Sequence, residues 1–388
     1  MASQETKRKI LITTDLYTTN TNGVVTSVQN LTQELTEMGH EVRILTLSDN
    51  HHSRKEGNVY FIPSMPLGAV YPDVRMPIAY HHRLIQELID WKPDVIHSQC
   101  EFFTMQFATR ISHYTGAPIV HTYHTLYEQY VSYLIPSRRL GRVLVRVMSR
   151  QRLKHVDKVV APTQKVEEAL HSYGVRNPID VVPSGISLEQ HHQRLTPEQR
   201  QEKRRQLGIG DEQKVILNLG RLGTEKNLGE LMTLFAEARR DNDSLVFLIV
   251  GDGPAREGLE KQARELGVAD SVVFTGMVEP SQVQNYYQIA DVFVSASTSE
   301  TQGLTYIEAA ANGLPLLCRQ DECLDQVLQP GENGYEYTSA EEFLKAIDAV
   351  MDPQWRQEAS RRSEDIAAQF GKKAFGEAIE QIYESVIE

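Results

Sequence analysis

"SETQGLTYIEAAANGLP", residues 299–315, joins a polar loop to an apolar helix and sets Glu300 and Glu308 eight positions apart, with Gly303 between them. Directly before it runs "DVFVSAST" (291–298), a β-branched segment that reads as a buried strand. Strand, loop, helix is the repeating step of a parallel sheet, and the same step recurs along the chain. The first half carries "KILITT" (9–14), "VRILTL" (42–47), "DVIHSQ" (94–99), "APIVHTYH" (117–124), "KVVAPT" (158–163) and "IDVVPSGI" (179–186). Helical stretches lie between them. In "VTSVQNLTQELTEMGH" (25–40), Val28, Leu31, Leu35 and Met38 recur at helical spacing and Gly39 supplies a stop.

A polar, charged stretch at about 190–212 interrupts the pattern, which then restarts with "KVILNLG" (214–220), "LVFLIVGDG" (245–253), "SVVFTGMV" (271–278), "DVFVSAST" and "LPLLCR" (314–319). Apolar strands alternating with helices mean a sheet covered on both faces. Two such series predict an α/β chain of two facing, doubly wound domains, residues 1–185 and 186–371. A final helix over about 372–388 suits either domain, with a return onto the first as the expectation. Ligands of such domains bind beyond the carboxyl ends of the strands, so the cleft between the halves is the expected site.

Composition agrees with two domains. The chain has 388 residues, 40% hydrophobic and 24% charged, as expected of a soluble globular protein. No run approaches the roughly 18 apolar residues of a spanning helix, and "MASQETKRKILITTD" lacks the features of a secretory signal. Cys100, Cys318 and Cys323 show no metal or redox spacing, and so sparse a set fits a reducing cytosol. The net charge of −12 is unevenly spread: residues 1–185 hold 20 basic and 17 acidic residues, against 20 and 35 in the remainder. Either the two surfaces have simply drifted apart, or the first half faces something anionic.

The second half ends its strands in residues suited to a phosphorylated ligand. "RLGTEKN" follows the first of them and brings Arg221 and Lys226, a planar fork and a point charge, both suited to a diphosphate. "GDGP" (251–254) follows the next, where Gly253 permits a backbone conformation that a side chain forbids; no G-x-G-x-x-G is present, and an ordinary turn explains it equally well. In the opening stretch Gln302, Gly303, Leu304 and Thr305 stand at a helix start, where free N–H groups favour an anion. Glu300 precedes that helix and can accept from sugar hydroxyls; Glu308, in its first turns, can accept from a ribose diol.

With these residues in place, the chain resembles the retaining glycosyltransferases of family four, which have the GT-B fold of two Rossmann-like domains. "SETQGLTYIEAAANGLP" resembles that family's E-x7-E motif, "GRLGTEKN" its basic motif, and "VVPSGI" (181–186) its interdomain hinge. The likeness covers nearly the whole chain. It implies a nucleotide-sugar donor, with Arg221 and Lys226 on the diphosphate, Glu308 on the ribose and Glu300 on the transferred sugar. It implies no metal, since cations and helix N–H groups neutralise the leaving diphosphate. Gly23, in "TNTNGVVTSV" (19–28), would face the diphosphate, although the proline usual before this loop is absent here. His124 would lie near the transferred sugar and hydrogen-bond a hydroxyl. The candidate catalytic residues are therefore His124, Glu300, Arg221 and Lys226.

"HTYHTLYEQYVSY" (121–133), with Tyr123, Tyr127, Tyr130 and Tyr133, resembles the subgroup that moves glucose from UDP-glucose to diacylglycerol in bacterial membranes. A separate feature agrees. "SRRLGRVLVRVMSRQRLKHV" (137–156) has no acidic residue; Arg138, Arg142, Arg146 and Arg150 recur every four positions, with Arg139 beside them and Leu140, Val143, Leu144 and Val147 as an apolar stripe. Such a helix can lie on an anionic bilayer, or it can pack in a core and leave a solvated basic face. The expectation is a hexosyltransferase acting on diacylglycerol or another lipid, peripheral on the cytoplasmic face of the membrane. A soluble, protein or cell-wall acceptor and a non-catalytic nucleotide-sugar-binding protein are the rivals. Nucleic acid is not expected as a partner, because the chain is acidic overall and has no binding motif.

Overall fold

The computed structural model describes residues 7–17, 22–67, 74–128, 137–191 and 193–387. Residues 19–21 of the glycine loop, Tyr130 and Tyr133 lie outside that set, as does the side chain of Arg138. The chain divides into two units, Met1–Gly185 with Lys372–Glu388, and Ile186–Gly371.

In the first unit, Ile10, Leu11 and Ile12 are all fully buried, which a strand achieves only when both faces of its sheet are covered. They form β1 (Lys9–Thr14). The strands that follow are β2 (Glu41–Leu47), β3 (Arg54–Glu56), β4 (Val59–Ile62), β5 (Ser64–Pro66), β6 (Arg75–Pro77), β7 (Val95–Ser98), β8 (Ile119–Thr122), β9 (Lys158–Ala161) and β10 (Ile179–Val181). The main sheet has the order β10-β9-β8-β7-β1-β2-β4-β3, parallel except for β3, which runs antiparallel to β4 on the edge. Side chains alternate between faces. Leu11 joins Leu45, Ile96 and Ile119 under the helices Arg83–Trp91 and Phe103–Thr115. Ile10 and Ile12 join Ile44, Val95 and Val120 under the helix Gly23–Glu37.

That second face is completed by the last helix, Lys372–Ile387, which brings Phe375, Ile379, Ile382 and Tyr383 into the same cluster. Polar bonds fix its register: His97 Nδ1 pairs with the Tyr383 hydroxyl at 2.7 Å, and His40 Nε2 with Glu380 at 2.9 Å.

The second unit repeats the plan with β11 (Lys214–Leu219), β12 (Leu245–Val250), β13 (Val272–Phe274), β14 (Val292–Ser295), β15 (Leu316–Arg319) and β16 (Gly334–Tyr337), in the order β13-β12-β11-β14-β15-β16 and parallel throughout. Strands β3 to β6 and β16 are additions to the sequence expectation. Three are only three residues long, β16 is interrupted by a glutamate, and β4, although apolar and buried throughout, is only four residues long. Strands β8 and β14 also stop short of the quoted segments, which leaves Tyr123 and His124 in one loop and Ala296–Thr298 in another.

Ile379→Ala removes a fully buried side chain from the helix that closes the first unit. It should lower that unit's stability by about 2–5 kcal/mol, measured by urea unfolding.

Candidate functional site

Strand order in the second unit reverses direction between β11 and β14, so the loops leaving these neighbours diverge and open a crevice at their carboxyl ends. The expected donor residues occupy those loops. Lys226 stands in the tight turn Thr224–Lys226 after β11, and Glu300 in the loop after β14. Lys226 Nζ donates to Glu300 Oε1 at 2.5 Å, and the Ser299 hydroxyl donates to the Glu225 carbonyl at 3.2 Å. Arg221 Nη2 donates to Glu225 Oε1 at 2.5 Å. Lys226 and Glu300 are therefore brought together, while Arg221 is held through Glu225, a nearly buried acid that the sequence reading passed over.

Gly253 has a role in packing. A Cβ there would lie 2.6 Å from the Leu222 carbonyl oxygen, so only glycine lets the loop after β12 rest on the loop that carries Arg221. Leu222 N donates to the Asp252 carbonyl, and Ala255 N to the Leu222 carbonyl, both at 2.9 Å.

Gly303 is the residue before the helix Leu304–Ala311. Its φ of 73° lies in the left-handed region, and a Cβ would meet the Tyr306 ring at 2.5 Å. Gln302 before it is buried. Leu304 and Thr305 open the first turn, where N–H groups have no carbonyl one turn back to bond. Glu308 lies one turn further on. Its Oε2 accepts from the Tyr287 hydroxyl at 2.7 Å, and burial pushes its carboxyl up to about 7, partly offset by that hydrogen bond. Among the described residues, no group of three His, Cys, Asp or Glu side chains is placed to hold a metal ion.

The first unit has its own reversal, between β1 and β7. Gly23 opens the helix Gly23–Glu37, capped by the Asn22 side chain, which accepts from Val25 N at 2.9 Å. His124 lies two residues beyond β8, half-buried, with Nε2 2.7 Å from Gln99 Oε1. Burial brings its pKa down to about 4, so the imidazole is neutral at pH 7.

Around His124 is a polar network absent from the sequence expectation. Buried Glu101 places Oε1 3.3 Å from His121 Nε2 and accepts from the Tyr127 hydroxyl through Oε2 at 2.5 Å. Asp15, after β1, accepts from the Thr104 N–H and hydroxyl at 2.8 and 2.6 Å, and burial raises its carboxyl pKa. The signal was positional: Gln99 and Glu101 directly follow the strand that borders β1.

The basic segment folds as the helix Arg138–Leu153, capped by Ser137. Its buried face is Gly141, Val145, Ser149 and Leu153, and the Ser149 hydroxyl pairs with Tyr123 at 2.8 Å. The apolar stripe faces outward instead: Leu140, Val143, Leu144 and Val147 are 59%, 55%, 51% and 38% exposed. Arg139, Arg142, Arg146 and Arg150 are exposed beside it, with Arg142 Nε 3.6 Å from Glu128. Four exposed aliphatic side chains on one helix, flanked by cations, form a contiguous apolar patch of the kind that marks an interaction surface. No helix among the described residues is long and apolar enough to cross a membrane.

Two doubly wound α/β units, each with its own strand reversal, fit the GT-B fold. Solved structures agree on the fold. Anabaena HepE in complex with UDP and glucose aligns over 97% of this chain and 100% of its own, with a TM-score of 0.77 at 18% identity. Sucrose-phosphate synthase from Thermosynechococcus elongatus covers 98% and 99%, also with a TM-score of 0.77, at 20% identity. Residues 21–190 match the model "Glycosyltransferase Family 4" and residues 199–369 the model "Glycosyl transferases group 1". Two full-length relatives are both named alpha-monoglucosyldiacylglycerol synthase. The Streptococcus pneumoniae protein is 34% identical over 94% of this chain and 84% of its own, and the Acholeplasma laidlawii protein is 30% identical over 98% of each. The chain belongs to glycosyltransferase family four and is a glycosyltransferase.

Glu308 leaves a signature in stability. Its folded pKa of about 7 lies above the ordinary 4.5, so its protonated form favours the native state. That contribution is fully present below about pH 4.5 and is lost as pH rises through about 7. Against Glu308→Gln, the wild-type protein should lose on the order of 2–3 kcal/mol of stability between those limits, measured by urea unfolding across pH.

Proposed function

We propose that the chain is a retaining α-glucosyltransferase that moves glucose from UDP-glucose to diacylglycerol at the cytoplasmic face of an anionic membrane. The observation that carries this reading is the match, over nearly the full length, to two proteins named alpha-monoglucosyldiacylglycerol synthase. The outward-facing apolar and basic stripe of the helix Arg138–Leu153 supports a lipid acceptor.

In this reading Arg221 and Lys226 neutralise the donor diphosphate, aided by the N–H groups that open the helix Leu304–Ala311. Gly303 gives the phosphate close access. Glu308 accepts from the ribose hydroxyls, and Glu300, oriented by Lys226, from the transferred sugar. As the glucosyl bond to the diphosphate breaks, negative charge grows on the leaving group. A lysine that stabilises that charge more than the bound substrate's lowers the barrier. The acceptor hydroxyl adds to the sugar on the face that the diphosphate leaves, without a protein nucleophile, and its proton passes to the departing diphosphate oxygen. His124, neutral at pH 7, serves as a hydrogen-bonding partner for a sugar hydroxyl. The exposed aliphatic stripe enters the headgroup region, and each nearby arginine adds about 1 kcal/mol of attraction to an anionic surface.

Incubation with labelled UDP-glucose and diacylglycerol in anionic vesicles should yield labelled glycolipid; transfer only to a water-soluble acceptor would refute the lipid assignment. Lys226→Ala should reduce turnover on the order of 10²-fold with the fold intact. Reversal of Arg139, Arg142 and Arg146 to Glu should weaken vesicle binding at least about 10²-fold in a flotation assay while UDP binding is retained. Undiminished vesicle binding would mean that this helix is purely structural.

A further inference from the structure

Tyr287 stands near the end of the helix Val283–Ile289, fully buried, with its ring against Phe293 and edge-on to His191. A phenol has one hydrogen to donate. Here that hydrogen goes to Glu308 Oε2 at 2.7 Å; the Thr305 carbonyl is more distant, at 3.5 Å. Glu308 is half-buried as a residue, and Tyr287 holds one of its two carboxylate oxygens. Burial disfavours the ionised carboxylate, and the Tyr287 bond opposes burial.

The helix carrying Glu308 packs on the helices Pro353–Ala367 and Leu188–His191 and on β15. Of the charged groups these bring, Glu364, Arg356, Arg362 and Arg319 are engaged in ion pairs. Glu364 accepts from Arg194, Arg356 pairs with Asp291 at 3.1 Å, and Arg319 pairs with Glu230. His191 Nδ1 lies 2.8 Å from Asn312 Nδ2, and the Cys318 thiol is buried and strongly raised in pKa. Burial and Tyr287 are the influences that set the Glu308 carboxyl.

We propose that Tyr287 is a positioning residue for donor binding, its hydroxyl holding Glu308 in the orientation and ionised form that accept the two ribose hydroxyls. The inference rests on the assignment of Glu308 to the ribose. It makes donor affinity pH-dependent, because only the ionised fraction of Glu308 is competent.

Calorimetry with UDP-glucose tests this between about pH 6 and about pH 8.5, where the doubly esterified diphosphate does not titrate. The wild-type dissociation constant should fall about tenfold from pH 6 to pH 8. Tyr287→Phe should raise it about three- to tenfold at pH 7 and move the midpoint upward, so that the two proteins converge at alkaline pH. Its kcat at saturating donor should stay within about twofold of wild type. Glu308→Gln should bind weakly, without the pH dependence. A 2′-deoxyribose donor should show a shallower pH dependence in the wild-type protein, a reading independent of how Tyr287→Phe folds. If Tyr287→Phe binds as wild type while Glu308→Gln is impaired, the role of Tyr287 is overturned and the ribose assignment stands. A uniform loss of affinity at every pH in Tyr287→Phe marks a packing defect and also overturns the proposal. If Glu308→Gln binds as wild type, the ribose assignment falls and the Tyr287 proposal with it.

Discussion

Burial of a parallel sheet on both faces is the constraint from which the rest of this structure follows. Neighbouring parallel strands cannot be joined by a tight turn, so each connection crosses a face as a helix. Right-handed crossovers fill one face until the order reverses, and then the other. The reversal leaves adjacent strand ends with diverging loops. In the second unit that place is between β11 and β14, and it is where Lys226 and Glu300 meet. The site is a by-product of how a covered sheet must be wound.

That geometry gives the buried polar groups their character. Burial moves both Glu308 and His124 toward their neutral forms, up for the acid and down for the base. For Glu308 the short hydrogen bond from Tyr287 opposes that shift, and for His124 the negative charge of Glu101 does. Polar groups in such surroundings need partners, and those partners fix orientation as well as charge.

The sequence was most legible where a single segment carried the whole message. The apolar runs of β1, β2, β11, β12 and β14 announce covered strands, and "SETQGLTYIEAAANGLP" gives strand end, loop and helix start in one reading. Some meetings of distant segments left no sign in it. Tyr287 lies in "NYYQIA", an ordinary amphipathic turn until the fold sets it behind Glu308. Glu101, His121 and Tyr127 form one network only because β7 and β8 are neighbours. The basic helix shows a third kind of difficulty. Its Leu140, Val143, Leu144 and Val147 have core spacing, yet the smaller residues Gly141, Val145 and Ser149 are the ones that pack inward. Periodicity identifies a stripe; it does not say which of two stripes turns inward.

The return of the helix Lys372–Ile387 to the first unit has a consequence for biosynthesis. The second unit is an uninterrupted stretch of chain, but the first is split by it. While the ribosome is still producing residues 186–371, Ile10, Ile44 and Val120 lack the cover that Phe375, Ile379 and Tyr383 will give them. The unit translated first is thus the last to be completed, and its sheet must wait, partly open, for the sixteen residues of that helix.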